Sequence, residues 1–229
     1  MPKIALMKYL SLKIAEISPQ PGDNLVIKFE KTAEQVDYVA GQFLTFIFNI
    51  RDKEIRRSYS LFSTPGTPEL LSIAVKLVEN GEISRHLHHR TAIGDVLTAI
   101  EPNGIFTYVP YRDIKRTVFL FAAGVGITPI FSIMKTALLE ENGSKIVLVY
   151  SNRSVNDTLF YNEIQDWASR YPERLEVIYF FSDAKNIMKA RLNKFMIEQI
   201  VTEQMAYDPQ QALFYTCGPI DYMVNCRIV

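Results

Sequence analysis

Through the first half of the chain, apolar and polar side chains alternate with a period of two. "LTFIFNI" sets Leu44, Phe46, Phe48 and Ile50 on one side, and "LLSIAVKLV" does the same with Leu71, Ile73, Val75 and Leu77. "LVIKF" and "RSYSLF" alternate as well, and the turn-rich stretches "SPQPGDN" and "STPGTP" lie between these runs. Short strands separated by turns predict an antiparallel β-barrel. One helical candidate, "EISRHLHHRT", follows Gly81 directly.

Near Asp113 the pattern changes. "VFLFAA" (118–123), "KIVLVY" (145–150), "LEVIYFF" (175–181) and "ALFYTC" (212–217) are compact apolar runs too short for helices, each followed by a segment of helical spacing. Ile130, Ile133, Met134, Ala137 and Leu138 form one stripe of an amphipathic helix. Strand alternating with helix predicts a doubly wound α/β domain built on a parallel sheet. We therefore expect two domains, 1–112 and 113–229, with the boundary in "VPYRDIKR" (109–116). After "CGP" a last helix would set Ile220, Met223, Val224 and Ile228 on one face. A helix of about two turns ending on apolar residues is poorly stabilised, so the second domain is expected to lack its last strand.

A chain of 229 residues with 48% hydrophobic residues can fill two cores, so two domains are the natural division. Its 25 basic and 25 acidic residues cancel, which argues against nucleic acid or an anionic membrane surface as partner and makes any anion site local. Two cysteines, Cys217 and Cys226, cannot build a disulfide framework, and the first thirty residues lack the order of a secretory signal. The expectation is a reduced, cytoplasmic protein with no membrane-spanning segment.

Three stretches carry candidate chemistry. "AAGVGITPI" stands where the first parallel strand meets its helix: Gly124 and Gly126 permit close backbone approach, Thr128 suits an N-cap and Pro129 the first helical position. Such a turn aims N–H groups and a helix dipole at a pyrophosphate, or is simply a tight turn with a cap. The third glycine of the dinucleotide fingerprint is absent, and Pro129 stands near its place. At the end of the next strand, Ser151, Asn152 and Arg153 replace the acidic residue of an NAD site, a set suited to a 2′-phosphate and hence to NADPH over NADH; a solvated loop arginine is the plainer alternative. "YTCGPIDYM" places Cys217, Gly218 and Pro219 at a strand's carboxyl end, where open α/β sheets bind ligands. His86, His88 and His89 do not share one helical face, so no metal site is read from them.

In their order, "GQF" (41–43), "RSYS" (57–60), "VKLVENGEIS" (75–84), "GDVLTAIEPNGIF" (94–106), "GVGITP" (124–129), "YSNRSVND" (150–157) and "CGP" (217–219) resemble the ferredoxin–NADP reductase superfamily. Within it the chain is most similar to reductase components of bacterial oxygenases, of the phenylacetyl-CoA oxygenase type, and to flavohaemoglobin reductase domains. The resemblance implies an FAD-binding barrel and an NAD(P)-binding α/β domain. Arg57 would then hold the FAD pyrophosphate, Tyr59 would lie against the isoalloxazine, and Ser60 would hydrogen-bond near flavin N5. Val75, Lys76, Gly81, Ile83 and Ser84 would complete the FAD site. Gly124, Gly126, Thr128, Pro129, Ser151, Asn152, Arg153, Cys217, Gly218 and Pro219 would hold NADP, with NAD less favoured. Tyr59, Ser60 and Cys217 would border the reacting rings as positioning groups.

The sequence departs from the family at "ARL" (190–192), where relatives often carry Gly-Arg, so Arg191 as a second phosphate contact is an extrapolation. The four clustered cysteines of a plant-type iron–sulfur domain are missing: either that domain was removed, or the electrons leave to a separate protein acceptor, a ferredoxin, a flavodoxin or an oxygenase. The competing expectations are a redox-sensing or regulatory flavoprotein of the same fold, and a nucleotide-binding scaffold without flavin.

Overall fold

The structure is a computed structural model that describes residues 8–31, 36–186 and 190–227. Its first half is a six-stranded antiparallel sheet made of β1 (Tyr9–Gln20), β2 (Asn24–Phe29), β3 (Phe43–Ile50), β4 (Lys53–Ser60), β5 (Ser72–Lys76) and β6 (Val96–Asn103). The spatial order is β4-β3-β6-β1-β2-β5. The sheet curls until the chain leaving β4 meets β5 through a bridge between Leu61 and Ile73. Leu12, Ile14, Ile27, Phe29, Leu44, Phe46 and Ile73 fill its interior, each fully buried. α1 (Glu82–Arg90) closes one end by burying Ile83 and Leu87.

Alternation read β2, β3, β4 and β5 but not β1 or β6. In β1 the pairing with β2 shifts register between Ile14 and Glu16, so its period of two breaks partway. β6 carries Glu101 and Pro102, residues ill suited to a strand interior.

The second half is a four-stranded parallel sheet in the order β10-β7-β8-β9, with β7 (Thr117–Ala123), β8 (Lys145–Asn152), β9 (Leu175–Phe181) and β10 (Leu213–Cys217). α2 (Ile127–Glu140) and α3 (Tyr161–Arg170) cover one face; α4 (Lys194–Gln204) and α5 (Ile220–Asn225) lie toward the other. β7 is buried along its whole length, as a central parallel strand must be. In α5, Ile220 and Val224 are exposed and not turned to a core; Ile228 lies outside the described residues.

α2 differs from its expected amphipathic stripe. Every residue from Ile127 to Leu138 is buried, because the sheet packs on one side of the helix and the barrel on another. Val26, Phe62, Ala74 and Tyr108 of the first half belong to the same apolar cluster as Ile130, Phe131 and Met134. Arg174 finishes the helix, its guanidinium donating to the carbonyls of Leu138 at 3.1 Å and Ala137 at 3.2 Å.

The connection between the halves is fastened to the same helix end. Arg116 donates to Glu141 Oε1 at 2.5 Å and to the Val109 carbonyl at 3.2 Å, and the Tyr111 N–H donates to the same carboxylate oxygen at 3.1 Å. The guanidinium carbon sits 5.1 Å from the centre of the Tyr108 ring. Glu141 is only 1% exposed, so it cannot lose its partner cheaply. Arg116→Met is expected to destabilise the fold by about 3–5 kcal/mol, read as a lowered urea midpoint with an unchanged slope.

Candidate active site

Two adjoining clefts open at the carboxyl ends of the parallel strands. The first, about 540 Å³, takes Ser58, Tyr59, Ser60 and Lys76 from the barrel and Gly124, Gly126, Thr128, Pro129, Cys217, Gly218 and Pro219 from the parallel domain. The second, about 510 Å³, continues past Lys76, Gly124 and Pro219 to Ser151, Asn152, Arg153 and Arg191. The RSYS strand, the glycine turn and the CGP turn, far apart in sequence, thus share one crevice.

The glycine turn begins earlier than its sequence suggested. Gly124–Gly126 is a 3-10 turn, and Gly126 is the residue from which α2 starts. Thr128 is therefore inside the first helical turn and not the N-cap; its hydroxyl donates back to the Val125 carbonyl at 3.0 Å. Pro129 follows it within that turn, where its missing N–H costs nothing. The short turn supplies the entry geometry that a capping side chain would otherwise provide.

The two glycines serve different needs. Gly124 has φ +53° and open space around it, so its requirement is conformational. At Gly126 a Cβ would collide with the Cys217 carbonyl, so its requirement is the close approach of the CGP turn. Tyr59 is half-buried, its ring centre 6.0 Å from that of Phe46, and burial pushes its pKa up to about 12, against a smaller downward pull from Arg57. The Cys217 thiol is also pushed up by burial, partly offset by the Gly218 N–H. Both groups are neutral near pH 7, suited to contact and hydrogen bonding and not to nucleophilic or base chemistry.

Not every expected residue faces these clefts. Arg57 is exposed on β4, and its Nη1 donates to the neighbouring Arg56 carbonyl at 2.7 Å. Val75 and Ile83 point into the barrel core. The Ser84 hydroxyl accepts from the Val78 N–H at 3.1 Å and donates to the Gly81 carbonyl at 3.2 Å, tying the turn before α1. His88 Nε2 lies 2.9 Å from the Val75 carbonyl, and His86 packs edge-on to Phe48, so both hold α1 against the barrel. Among the described residues no group of three or more His, Cys, Asp or Glu could hold a metal ion.

The second cleft also contains residues that sequence reasoning missed. Gly22, Asp23 and Asn24, the β1–β2 turn, form its barrel-side wall, and Tyr222 and Asn225 of α5 contribute another part. "SPQPGDN" reads only as a turn, yet Gly22 has φ +69° and a Cβ there would sit 2.7 Å from the Asp157 carbonyl. Its sequence offers no signal for that cross-domain approach. Ser151 Oγ, Asn152 Nδ2 and Tyr222 OH are buried at the edge of this cleft without a hydrogen bond of ordinary geometry, Tyr222 lying against Ser151 and Cys226 and Asn152 against Tyr150. Together with the guanidiniums of Arg153 and Arg191, that donor set fits a nucleotide phosphate and ribose. The flat Tyr59 ring beside Ser58 and Ser60 fits a flavin ring.

Comparison with known proteins agrees with this division. Residues 13–108 match the oxidoreductase FAD-binding domain and residues 120–227 the oxidoreductase NAD-binding domain. The chain is 32% identical to the ferredoxin reductase component of the 3-ketosteroid-9-alpha-monooxygenase of Rhodococcus rhodochrous, over 93% of this chain and 58% of that protein. It is 28% identical to a subunit of the 1,2-phenylacetyl-CoA epoxidase of Escherichia coli, over 93% of this chain and 61% of that protein. The chain therefore spans a little over half the length of these curated relatives. In fold it is similar to the ferredoxin NADP+ reductase of Neisseria gonorrhoeae solved with bound FAD and NADP, with a TM-score of 0.77 at 18% identity, covering 96% of this chain and 89% of that one. No helix among the described residues is long and apolar enough to cross a membrane.

The turn itself generates a prediction. Gly124→Ala should cost about 1–2 kcal/mol through its left-handed backbone, and Gly124→Asn should recover part of that loss. Gly126→Ala and Gly126→Asn should both be damaging, since any Cβ forces the CGP turn away. Thermal unfolding of the four variants separates the two requirements; recovery at position 126 by Asn would contradict the steric account.

Proposed function

Because the chain joins an oxidoreductase FAD-binding domain to an oxidoreductase NAD-binding domain, we propose that it is a flavin-dependent reductase of the ferredoxin–NADP reductase superfamily. In this reading it draws electrons from NADPH through FAD and passes them to a ferredoxin, a flavodoxin or an iron–sulfur acceptor such as that of an oxygenase. The observation that carries the reading is the single crevice in which Tyr59 and Ser60 of the barrel meet Gly126, Thr128 and Cys217 of the parallel domain. Bound FAD supplies an acceptor for hydride that can then release electrons singly.

The protein's contribution is binding, orientation and exclusion of water. Arg57, exposed beside the first cleft, would leave the Arg56 carbonyl to hold the flavin pyrophosphate, Tyr59 would present a flat neutral face to the ring, and the Ser60 hydroxyl would donate or accept near N5. Lys76 stands where the two clefts join and balances phosphate charge from either cofactor. Thr128, Cys217, Gly218 and Pro219 border the nicotinamide as small, neutral surfaces that permit close ring approach. Val75, Gly81, Ile83 and Ser84 act from behind the surface, fixing the backbone that meets the flavin. Ser151, Asn152 and Arg153, with Arg191 across the second cleft, receive the adenosine end and its 2′-phosphate. The domain limits 1–112 and 113–229 suit this division of labour.

Two substitutions test the assignment. Arg57→Ala is expected to raise the dissociation constant for FAD about tenfold or more with little change in thermal midpoint, measured by fluorescence titration of the apoprotein. Arg153→Ala should raise KM for NADPH about tenfold and leave KM for NADH nearly unchanged, measured by anaerobic stopped-flow bleaching of FAD-loaded protein. Equal effects on both nucleotides would remove the preference for NADPH, and yellow protein indifferent to both would favour a redox sensor.

A further inference from the structure

The two sides of the crevice are connected by a short path beneath it. Ser60 lies three residues before Ser63, and Thr128 lies four residues before Ser132. The Ser132 hydroxyl, fully buried, donates to the Ser63 carbonyl at 2.7 Å. One side of the cleft is thus about 10 Å of extended chain from that bond, and the other is about 6 Å, one helical turn, from it. Hydrogen bonds elsewhere in the molecule join the halves through longer routes: Tyr215 OH, for example, donates to the Thr107 carbonyl at 2.9 Å, in the connecting segment.

Both ends of this path are held on either side. On the barrel, Ser63 Oγ accepts from Tyr38 OH at 2.7 Å and from the Ser72 N–H at 3.3 Å, so the carbonyl that Ser132 reaches is itself fixed. Three positions along α2 from Ser132, Lys135 is 3% exposed and its ammonium meets Glu69 Oε2 at 2.6 Å. That same carboxylate oxygen accepts the Thr64 N–H at 2.9 Å. Beside these bonds Phe160, held at φ +61°, packs between Phe62 and Phe131 with ring centres 4.7 and 4.8 Å away. A non-glycine residue keeps that backbone only where surrounding packing overrides its cost.

We infer that Ser132 and Lys135, acting through Ser63 and the 64–69 turn, form a brace that sets the separation of the flavin face and the nicotinamide face of the crevice. They are positioning residues: neither lines the first cleft, and neither touches a reacting atom. The inference rests on the reductase reading, because a separation between two rings matters only if both bind. Ring-to-ring transfer is steep in distance, and a misplacement of about 1 Å costs about a hundredfold in rate. A brace made of a buried neutral bond and an ion pair with a buried ammonium gives little at this point: removing the Ser132 hydroxyl leaves the buried Ser63 carbonyl unsatisfied, and removing Lys135 releases the partly exposed Glu69 carboxylate that holds the Thr64 N–H.

The test compares wild type, Ser132→Ala and Lys135→Met in three measurements. In FAD-loaded protein, the stopped-flow rate of flavin bleaching at saturating NADPH should fall about tenfold in each variant, while dissociation constants for FAD and for 2′,5′-ADP stay within about twofold. In flavin-free protein, amide exchange at Phe62–Thr64 should quicken about tenfold, with β3 and β8 unchanged. A bleaching rate that stays at the wild-type value in both variants despite faster local exchange overturns the brace. So does a rate that falls only in proportion to lost nucleotide affinity, or exchange that rises across the whole chain. Wild-type flavin that neither NADPH nor NADH bleaches defeats the reductase reading itself, and it is told apart from failure of the brace because it needs no substitution to appear.

Discussion

Everything in this molecule that bears on the crevice depends on the burial of α2 from more than one side. A helix covered only by its own sheet would be free to shift with its domain. Here twelve consecutive residues, Ile127 to Leu138, are out of solvent, and the barrel supplies part of the cover. Burial of this kind makes an unpartnered polar group costly, and of the four polar side chains between Ile127 and Leu138 only Thr136 lacks a partner. Thr128 finds the Val125 carbonyl, Ser132 the Ser63 carbonyl and Lys135 the Glu69 carboxylate, and two of these three partners belong to the other half of the chain. Desolvation thus converts ordinary helix polarity into cross-domain bonds. The same helix presents the glycine turn at one end, and at the other it leads to Glu141, which fastens the connecting segment.

The two halves contribute different kinds of surface because their architectures do. The end of a barrel strand presents side chains, and at the cleft Tyr59 offers a flat ring with the hydroxyls of Ser58 and Ser60 bordering the same space. A parallel sheet presents the turns at its carboxyl ends, where backbone rather than side chain is exposed and where glycine allows close approach. Ring against ring needs the first surface, and phosphate against backbone needs the second. Neither half alone has both, which is why the crevice lies between them.

Much of this was legible in the sequence, and what was not has identifiable causes. The buried parallel strands and the alternating strands β3 and β5 are encoded locally, residue by residue. β1 is not, because its irregular register at Ile14 and Glu16 interrupts the alternation. Ser132 and Lys135 look like solvent-facing residues on a striped helix; what buries them is written at positions 63 and 69. The GVGITP turn was recognisable, but its cap was assigned to Thr128 because a preceding 3-10 turn leaves no mark of its own in the sequence. The Gly22 turn was legible as a turn and silent about where it leads, since its neighbour Asp157 lies in the other half.

Charge completes the argument for a local recognition site. The chain carries equal numbers of acidic and basic residues, so no long-range field gathers an anionic nucleotide from a distance. Elsewhere several cations are paired: Lys13 with Glu30, Lys28 with Glu16, Arg56 with Glu54, Arg116 with Glu141, Lys135 with Glu69 and Arg170 with Asp166. Around the second cleft Lys76, Arg153 and Arg191 outnumber the carboxylates of Asp23 and Asp157. The cleft thus carries a local excess of positive charge, whose field is screened beyond a Debye length of about 8 Å at physiological salt. In the proposed reading a dinucleotide would meet this attraction only on entering the crevice, so selectivity would rest on the fit of phosphate to guanidinium and not on steering.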